Sequence, residues 1–205
     1  MILLVSAAAW GTPGLAQDDR TKPTDDGLQR VDGRFDVLDW RPGSTLEQYR
    51  RIVILDCFVE FRENWLRDQN RGKRSFNAVT TEDMARIKEI LADEFLAAVT
   101  EALEADGAYE IVAVAAADVL VLRPAILQLD VGADVYGSRN QLPDMSNGVA
   151  MTLYLEFYDS ATGVLIGRAV DSEAEPDRDR AATRRILTRW ARALRDTIEE
   201  SNGNQ

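Results

Sequence analysis

The chain has 205 residues, 45% apolar and 29% charged, with a formal net charge of −11 and a pI near 4.6. That length suits one domain with a substantial core, and the acidity argues against the nucleic-acid backbone as a main partner, which needs a basic footprint. Histidine is absent and Cys57 is the single cysteine, which excludes a histidine base or metal ligand, an intrachain disulfide and a thiolate cluster.

Residues Met1 to Ala16 (MILLVSAAAWGTPGLA) are apolar, small and uncharged. They read as a secretory signal peptide cleaved after Ala16, with Gly14 and Ala16 as the small residues of the cut. The apolar run is too short to cross a bilayer, so no transmembrane span is expected, and no cysteine near the cut offers a lipid anchor. Residues 17–34 are polar and acidic and are expected to form a disordered tether. One domain is expected over 35–200 and a disordered tail over 201–205. Arg41-Pro42-Gly43 signals a turn, and Ser44 with Glu47 has capping-box spacing for one helical turn over Leu46 to Arg50.

Arg51 to Phe61 (RIVILDCFVEF) predicts a central strand with Val53, Leu55, Cys57, Val59 and Phe61 on one face. Cys57 reads as a small core hydrophobe, since no histidine can activate it. The connection Arg62 to Val79 carries Arg62, Arg67, Arg71, Lys73 and Arg74 around Trp65. Cations interleaved with an aromatic suit an anion, such as a lipid headgroup or a polyanionic envelope polymer. The alternative is a solvated loop whose Trp65 packs back on the sheet.

Thr81 to Ala105 predicts a helix capped by Thr80 or Thr81 and closed by Gly107. Met84, Ile87, Leu91, Phe95, Val99 and Leu103 form its buried stripe, and its outer face is acidic. Short and long strands follow at Tyr109 to Val114 and Asp118 to Asp130. Pro124 in the second marks a bulge or the open side of an edge. Residues 132–147 form a long loop, a length that is often functional.

Gly148 to Asp171 then reads as a long hairpin. Met151, Leu153, Leu155 and Phe157 fall on one face, Thr152, Tyr154, Glu156 and Tyr158 on the other, and Asp159 to Gly163 turn the chain. Burying those four apolar side chains contributes about 6–12 kcal/mol before chain entropy is subtracted. The last helix, Arg178 to Glu200, has the stripe Ile186, Leu187, Trp190, Leu194 and Ile198 and is strongly basic.

The expected fold is α+β: a two-layer sandwich with a mostly antiparallel sheet of about five strands and two helices on one face, in the order β-α-β-β-β-β-α. Charges on the acidic and basic helices would help set their register.

No catalytic constellation is legible. There is no Ser-His-Asp or Cys-His set, no GxSxG, GxGxxG or CxxC. Asp56 and Glu60 lie about 13 Å apart along an extended strand, beyond the ~5–9.5 Å of glycosidase carboxylates. The acids Asp171, Glu173, Glu175, Asp177 and Asp179 lack the glycine and spacing of an EF-hand and read as a solvated turn. No cofactor and no metal are expected.

The segments RIVILDCFVEF, ENWLRDQN, TTEDMARIKEIL, ADVLVLRPAILQLDV and MTLYLEFYDSATGVLIGRAVD resemble the proteobacterial proteins of domain-of-unknown-function family 3313 (DUF3313), from about Trp40 to Trp190. The resemblance implies an exported envelope protein. Many members carry a lipoprotein signal, from which this chain departs, so a periplasmic form is expected. It brings no catalytic residue. The functional expectation is a non-enzymatic binding or assembly module of the cell envelope, with an envelope protein or anionic envelope component as partner. It would use either the strand holding Pro124 or the loop Arg62 to Val79. The alternatives are a small-ligand or lipid carrier, which needs an apolar cavity, and a carboxylate-dependent hydrolase.

Overall fold

A computed structural model describes residues 23–132, 148–175 and 181–203. The expected signal segment, nearly all of the loop at 132–147, and Asp177 to Arg180 lie outside the described residues.

The expected hairpin is present and longer than anticipated. β7 (Val149–Asp159) and β8 (Leu165–Glu175) pair antiparallel from Val149↔Glu175 to Tyr158↔Leu165. At the turn the Asp159 carboxylate accepts the Thr162 N–H at 2.7 Å and its hydroxyl at 2.6 Å. Gly163, at φ 69°, takes the left-handed conformation that closes it. Met151, Leu153, Leu155 and Phe157 are all buried.

β6 (Val119–Val131) pairs antiparallel with the other side of β7. Its register jumps from Leu127↔Thr152 to Asp130↔Ala150, and Gln128 at φ 55° is the extra residue. Because side chains alternate with period two, one inserted residue exchanges the faces. The buried set accordingly steps from Leu120, Leu122 and Ile126 to Leu129 and Val131.

The expected strand 51–61 is two strands, β3 (Arg51–Ile54) and β4 (Phe58–Phe61), both parallel to β6. Ile54 pairs with Leu122 and Phe58 with Ala125, so four steps stand against three. This insertion also reverses the face. Ile52 is buried before it, Cys57, Val59 and Phe61 are buried after it, and Leu55, expected inside, is exposed. Pro124 is not on an edge: β6 is interior, and the proline stands opposite the interruption between β3 and β4, where no ladder partner is lost.

Two strands were not legible. β1 (Gln29–Val31) pairs with β2 (Val37–Trp40), and β2 with β8, all antiparallel. β1 lies inside the expected tether, whose order starts earlier because Leu28 is fully buried and Thr24 ties it through both backbone and hydroxyl. With β5 (Glu110–Ile111) parallel to β3, the eight-stranded sheet runs β1-β2-β8-β7-β6-β3-β5, with β4 also on β6. It is α+β as expected, but the sheet is mixed: antiparallel from β1 to β6, parallel beyond.

Among the described residues three α-helices are present. α1 (Trp65–Gln69) is short. α2 (Thr81–Glu104) opens on a reciprocal capping box: Thr80 N–H donates to Asp83 Oδ2 at 3.0 Å and Asp83 N–H to Thr80 Oγ1 at 3.1 Å. Its cap at the other end is Ala105, not Gly107, which instead ends a 3-10 turn with φ 68°. α3 (Ala182–Gly203) extends into the expected tail. Both apolar stripes join the buried hairpin face in one core. The two helices touch through Arg184 and Glu94 at 3.1 Å, whereas Arg185 and Arg189 reach Glu175 and Glu173 of β8. The expected helical turn after Ser44 is a simple turn that buries Leu46 and Tyr49.

Gly167 of β8 lies under the Trp40 ring, which meets Phe157 edge-on at 5.3 Å. A Cβ there would stand 2.3 Å from Trp40. Gly167→Val is therefore expected to destabilise the fold by about 1–3 kcal/mol through overpacking, read as a lower urea midpoint with an unchanged slope.

Candidate functional site

The basic segment singled out by sequence is built on α1. Of the two readings of this segment, Trp65 follows the one in which it packs back on the sheet: it is a core residue, out of reach of an anion, stacked on Phe61 at 4.0 Å and donating its indole N–H to the Val131 carbonyl at 2.8 Å. An apolar ring whose one donor finds a buried carbonyl is more stable inside. Arg62 is structural as well. Its guanidinium reaches Asp130 of β6 at 2.7 Å and Asp68 of α1 at 2.9 Å. Asp68 also lies 3.3 Å from Arg71 and 3.6 Å from Arg67. The Arg62 hydrogen bond, with those neighbours, holds the Asp68 carboxyl below the usual carboxylate range. Arg67 and Arg71 remain 68% and 78% exposed. Lys73 and Arg74 are exposed on the stretch after α1, which the Asn70 amide closes by bonding both the N–H and C=O of Val79.

The second cluster was missed. On the face of the sheet turned away from α2 and α3, five neighbouring strands place Arg30, Asp39, Arg168, Glu156 and Arg123 opposite one another in register. Charge alternates along this row. Arg30 bonds Asp39 at 2.6 Å. Glu156, with its side chain only 8% exposed, receives Arg123 at 3.2 Å, Arg168 at 3.4 Å, and the hydroxyls of Tyr154 and Tyr158 at 2.9 and 2.8 Å. Arg168 also reaches Asp26 at 2.7 Å and lies over the Tyr154 ring. A carboxylate so enclosed persists only because its oxygens are fully engaged. The hairpin alternation showed Glu156 between two tyrosines, but its arginine partners come from β6 and β8, a register that one strand does not encode.

The other acids divide by geometry. Asp56 and Glu60 are both exposed beside β4. Asp171, Glu173 and Glu175 belong to a strand, not a turn. Asp171 accepts the Trp190 indole N–H at 2.8 Å, and Glu173 holds Arg189 at 2.6 Å. Among the described residues no group of three acids or Cys57 is placed to hold a metal ion. Burial pushes the Cys57 thiol up to about 12, so no thiolate forms near neutrality. Burial, and donation to Asp159 at 2.6 Å, push the Tyr49 hydroxyl to about 12. An open groove along α3 gathers Arg34, Arg184, Arg185, Arg189 and Arg192. The first four already pair with Glu200, Glu94, Glu175 and Glu173, so it offers little excess charge. Among the described residues no helix is long and apolar enough to cross a membrane.

No protein-family model matches the chain, and no curated protein matches it. Among solved structures it is similar to a PelC dodecamer variant from Paraburkholderia phytofirmans, with a TM-score of 0.40 and 12% identity over 77% of this chain and 95% of that one. It is also similar to a DUF330 protein from Xanthomonas campestris, with a TM-score of 0.33 and 13% identity over 80% of this chain and 87% of that one. A neuraminyllactose-binding hemagglutinin homolog from Helicobacter pylori gives 0.30 and 9% identity over 80% and 89%. With every score below 0.5, these likenesses carry neither fold nor function to this chain.

Two outcomes follow from the geometry. Glu156→Gln removes the charge that four donors share and is expected to cost about 1.5–3 kcal/mol, measured by urea unfolding at neutral pH. For Tyr49 and Cys57 the folded pKa lies above the unfolded value, so their stabilisation is complete only below about pH 8, under the unfolded thiol's pKa. It is lost as pH rises toward about 12. Tyr49→Phe with Cys57→Ala should flatten the alkaline fall in stability between those limits relative to the unaltered chain.

Proposed function

We propose that this chain is a non-enzymatic binding or assembly module of the cell envelope, in a periplasmic form, its export being what the resemblance to DUF3313 proteins implies. The observation that supports it best is the charge balance around α1. Arg62, Arg67 and Arg71 converge on one carboxylate, Asp68, with Lys73 and Arg74 close by, in a chain of net charge −11. Among the described residues cations outnumber local carboxylates there. Trp65 and Arg62 form the fixed base, and Arg67, Arg71, Lys73 and Arg74 form the contacting rim. The partner chemistry is an anionic envelope component, toward which each near-surface cation is worth about 1 kcal/mol. The carrier reading is less favoured because the residues between sheet and helices, including Leu91, Phe95 and Phe157, are packed into one core. A hydrolase built on Asp56 and Glu60 is disfavoured because both carboxylates stand exposed to solvent.

The chain should bind phosphatidylglycerol-containing vesicles and release them as salt rises from about 50 to about 500 mM. Arg67→Glu with Arg71→Glu and Arg74→Glu should weaken that binding at least about tenfold with an unchanged circular dichroism spectrum. Equal retention of the triple variant in co-sedimentation would refute the assignment of the rim.

A further inference from the structure

The sheet ends unequally. β1 and β5 are edges of three and two residues, short enough to offer little to another strand. β4 is different: among the described residues it pairs with β6 alone. The Arg62 N–H donates to the Leu129 carbonyl, toward β6. Backbone groups alternate along a strand, so those of Phe58 and Glu60 share that side and those of Val59 and Phe61 point to the open one. Asp56, Glu60 and Arg62 put charge along this edge, but it carries no lysine or proline. Phe58 is 57% exposed and Leu55 42%, adjacent members of the few large apolar residues exposed among the described ones.

We propose that β4 pairs antiparallel with β4 of a second copy of this chain, about a twofold axis through Val59. Charge chooses both occupant and register. With Val59 opposite its own copy, Phe58 faces Glu60, and Asp56 faces Arg62, in both directions across the axis. Each acid at position 56 thus meets a cation, and Arg62, bonded to Asp68 and Asp130, is already held in place. Moving the axis by one residue to Glu60, a register change of two, would oppose two like charges, which is destabilising. The pairing satisfies the open Val59 groups and covers Phe58 and Leu55 together. The interface is isologous and therefore closes at a dimer. It does not depend on the basic-rim reading.

Sedimentation equilibrium of the full chain over about 1 to about 500 µM should give a monomer–dimer equilibrium, a range suited to a small interface. Phe58→Lys, a change at an exposed site, should shift the dimer constant at least tenfold toward monomer, and Asp56→Lys should do so in part. Register is read separately, in a Cys57→Ala background. Phe58→Cys combined with Glu60→Cys places thiols at a non-hydrogen-bonded cross-strand pair, with Cα atoms about 4.5 Å apart and within disulfide reach. Mild oxidation should give a covalent dimer on a non-reducing gel, and Phe58→Cys alone should give far less. A chain monomeric throughout, a dimer indifferent to Phe58→Lys, or equal cross-linking by the single and double cysteine variants would each overturn the proposal.

Discussion

The unbroken pleat of β7 is the constraint on which the rest of the molecule depends. From Val149 to Asp159 it takes no insertion. The irregularities fall on its neighbours: Gln128 is extra in β6, and the register with β8 shifts between Phe157 and Tyr158 by one residue of β8. One strand therefore keeps a single phase, with Met151, Leu153, Leu155 and Phe157 against the helices and Glu156 and the tyrosines against the other side. Its neighbours change phase around it. The break between β3 and β4 has the same character, and it allows a proline in the interior strand they flank. Bulges of this kind re-aim side chains without dissolving a sheet.

That fixed phase has a consequence on the face away from the helices. A sheet face without helical cover normally leaves its charged side chains solvated. Here Glu156 is enclosed instead, because its neighbours on β7 are tyrosines whose hydroxyls turn toward it and its neighbours across the ladder are arginines. The row continues through Arg168, Asp39 and Arg30 to the outermost strand. Exposed ion pairs contribute little singly, but a row around a buried carboxylate penalises register slippage, since a shift by one residue would leave Glu156 without its donors. Register in this sheet is thus specified from both faces.

Most of the core was legible because it follows from period. The stripes of α2 and α3 and the buried hairpin residues are local patterns, and they appear as the pattern requires. What escaped depends on nonlocal information. The exposure of Leu55 could not be read from RIVILDCFVEF, because the insertion that reverses its face is defined only against β6. β1 and β2 are short and gain their stability from pairing, β2 with β8 and β1 with β2, so their own sequence carries little periodic signal. In the basic segment the cations were evident, but Trp65 was ambiguous until the Val131 carbonyl supplied its buried acceptor.

In the basic segment one carboxylate separates an anchored cation from exposed ones. Asp68 lies at the centre of three guanidiniums, yet only Arg62 bonds it while also reaching the sheet, through Asp130. Arg67 and Arg71 approach the same carboxylate from solvent, at longer range and with most of their side chains exposed. An ion pair that is largely hydrated is readily exchanged, because water and salt already screen it. On the proposed reading, an incoming anion would engage the two outer arginines while Arg62 stays bonded to Asp68 and keeps α1 anchored. The short helix need not rearrange for the rim to change partners, which is the property a binding surface on a rigid base requires.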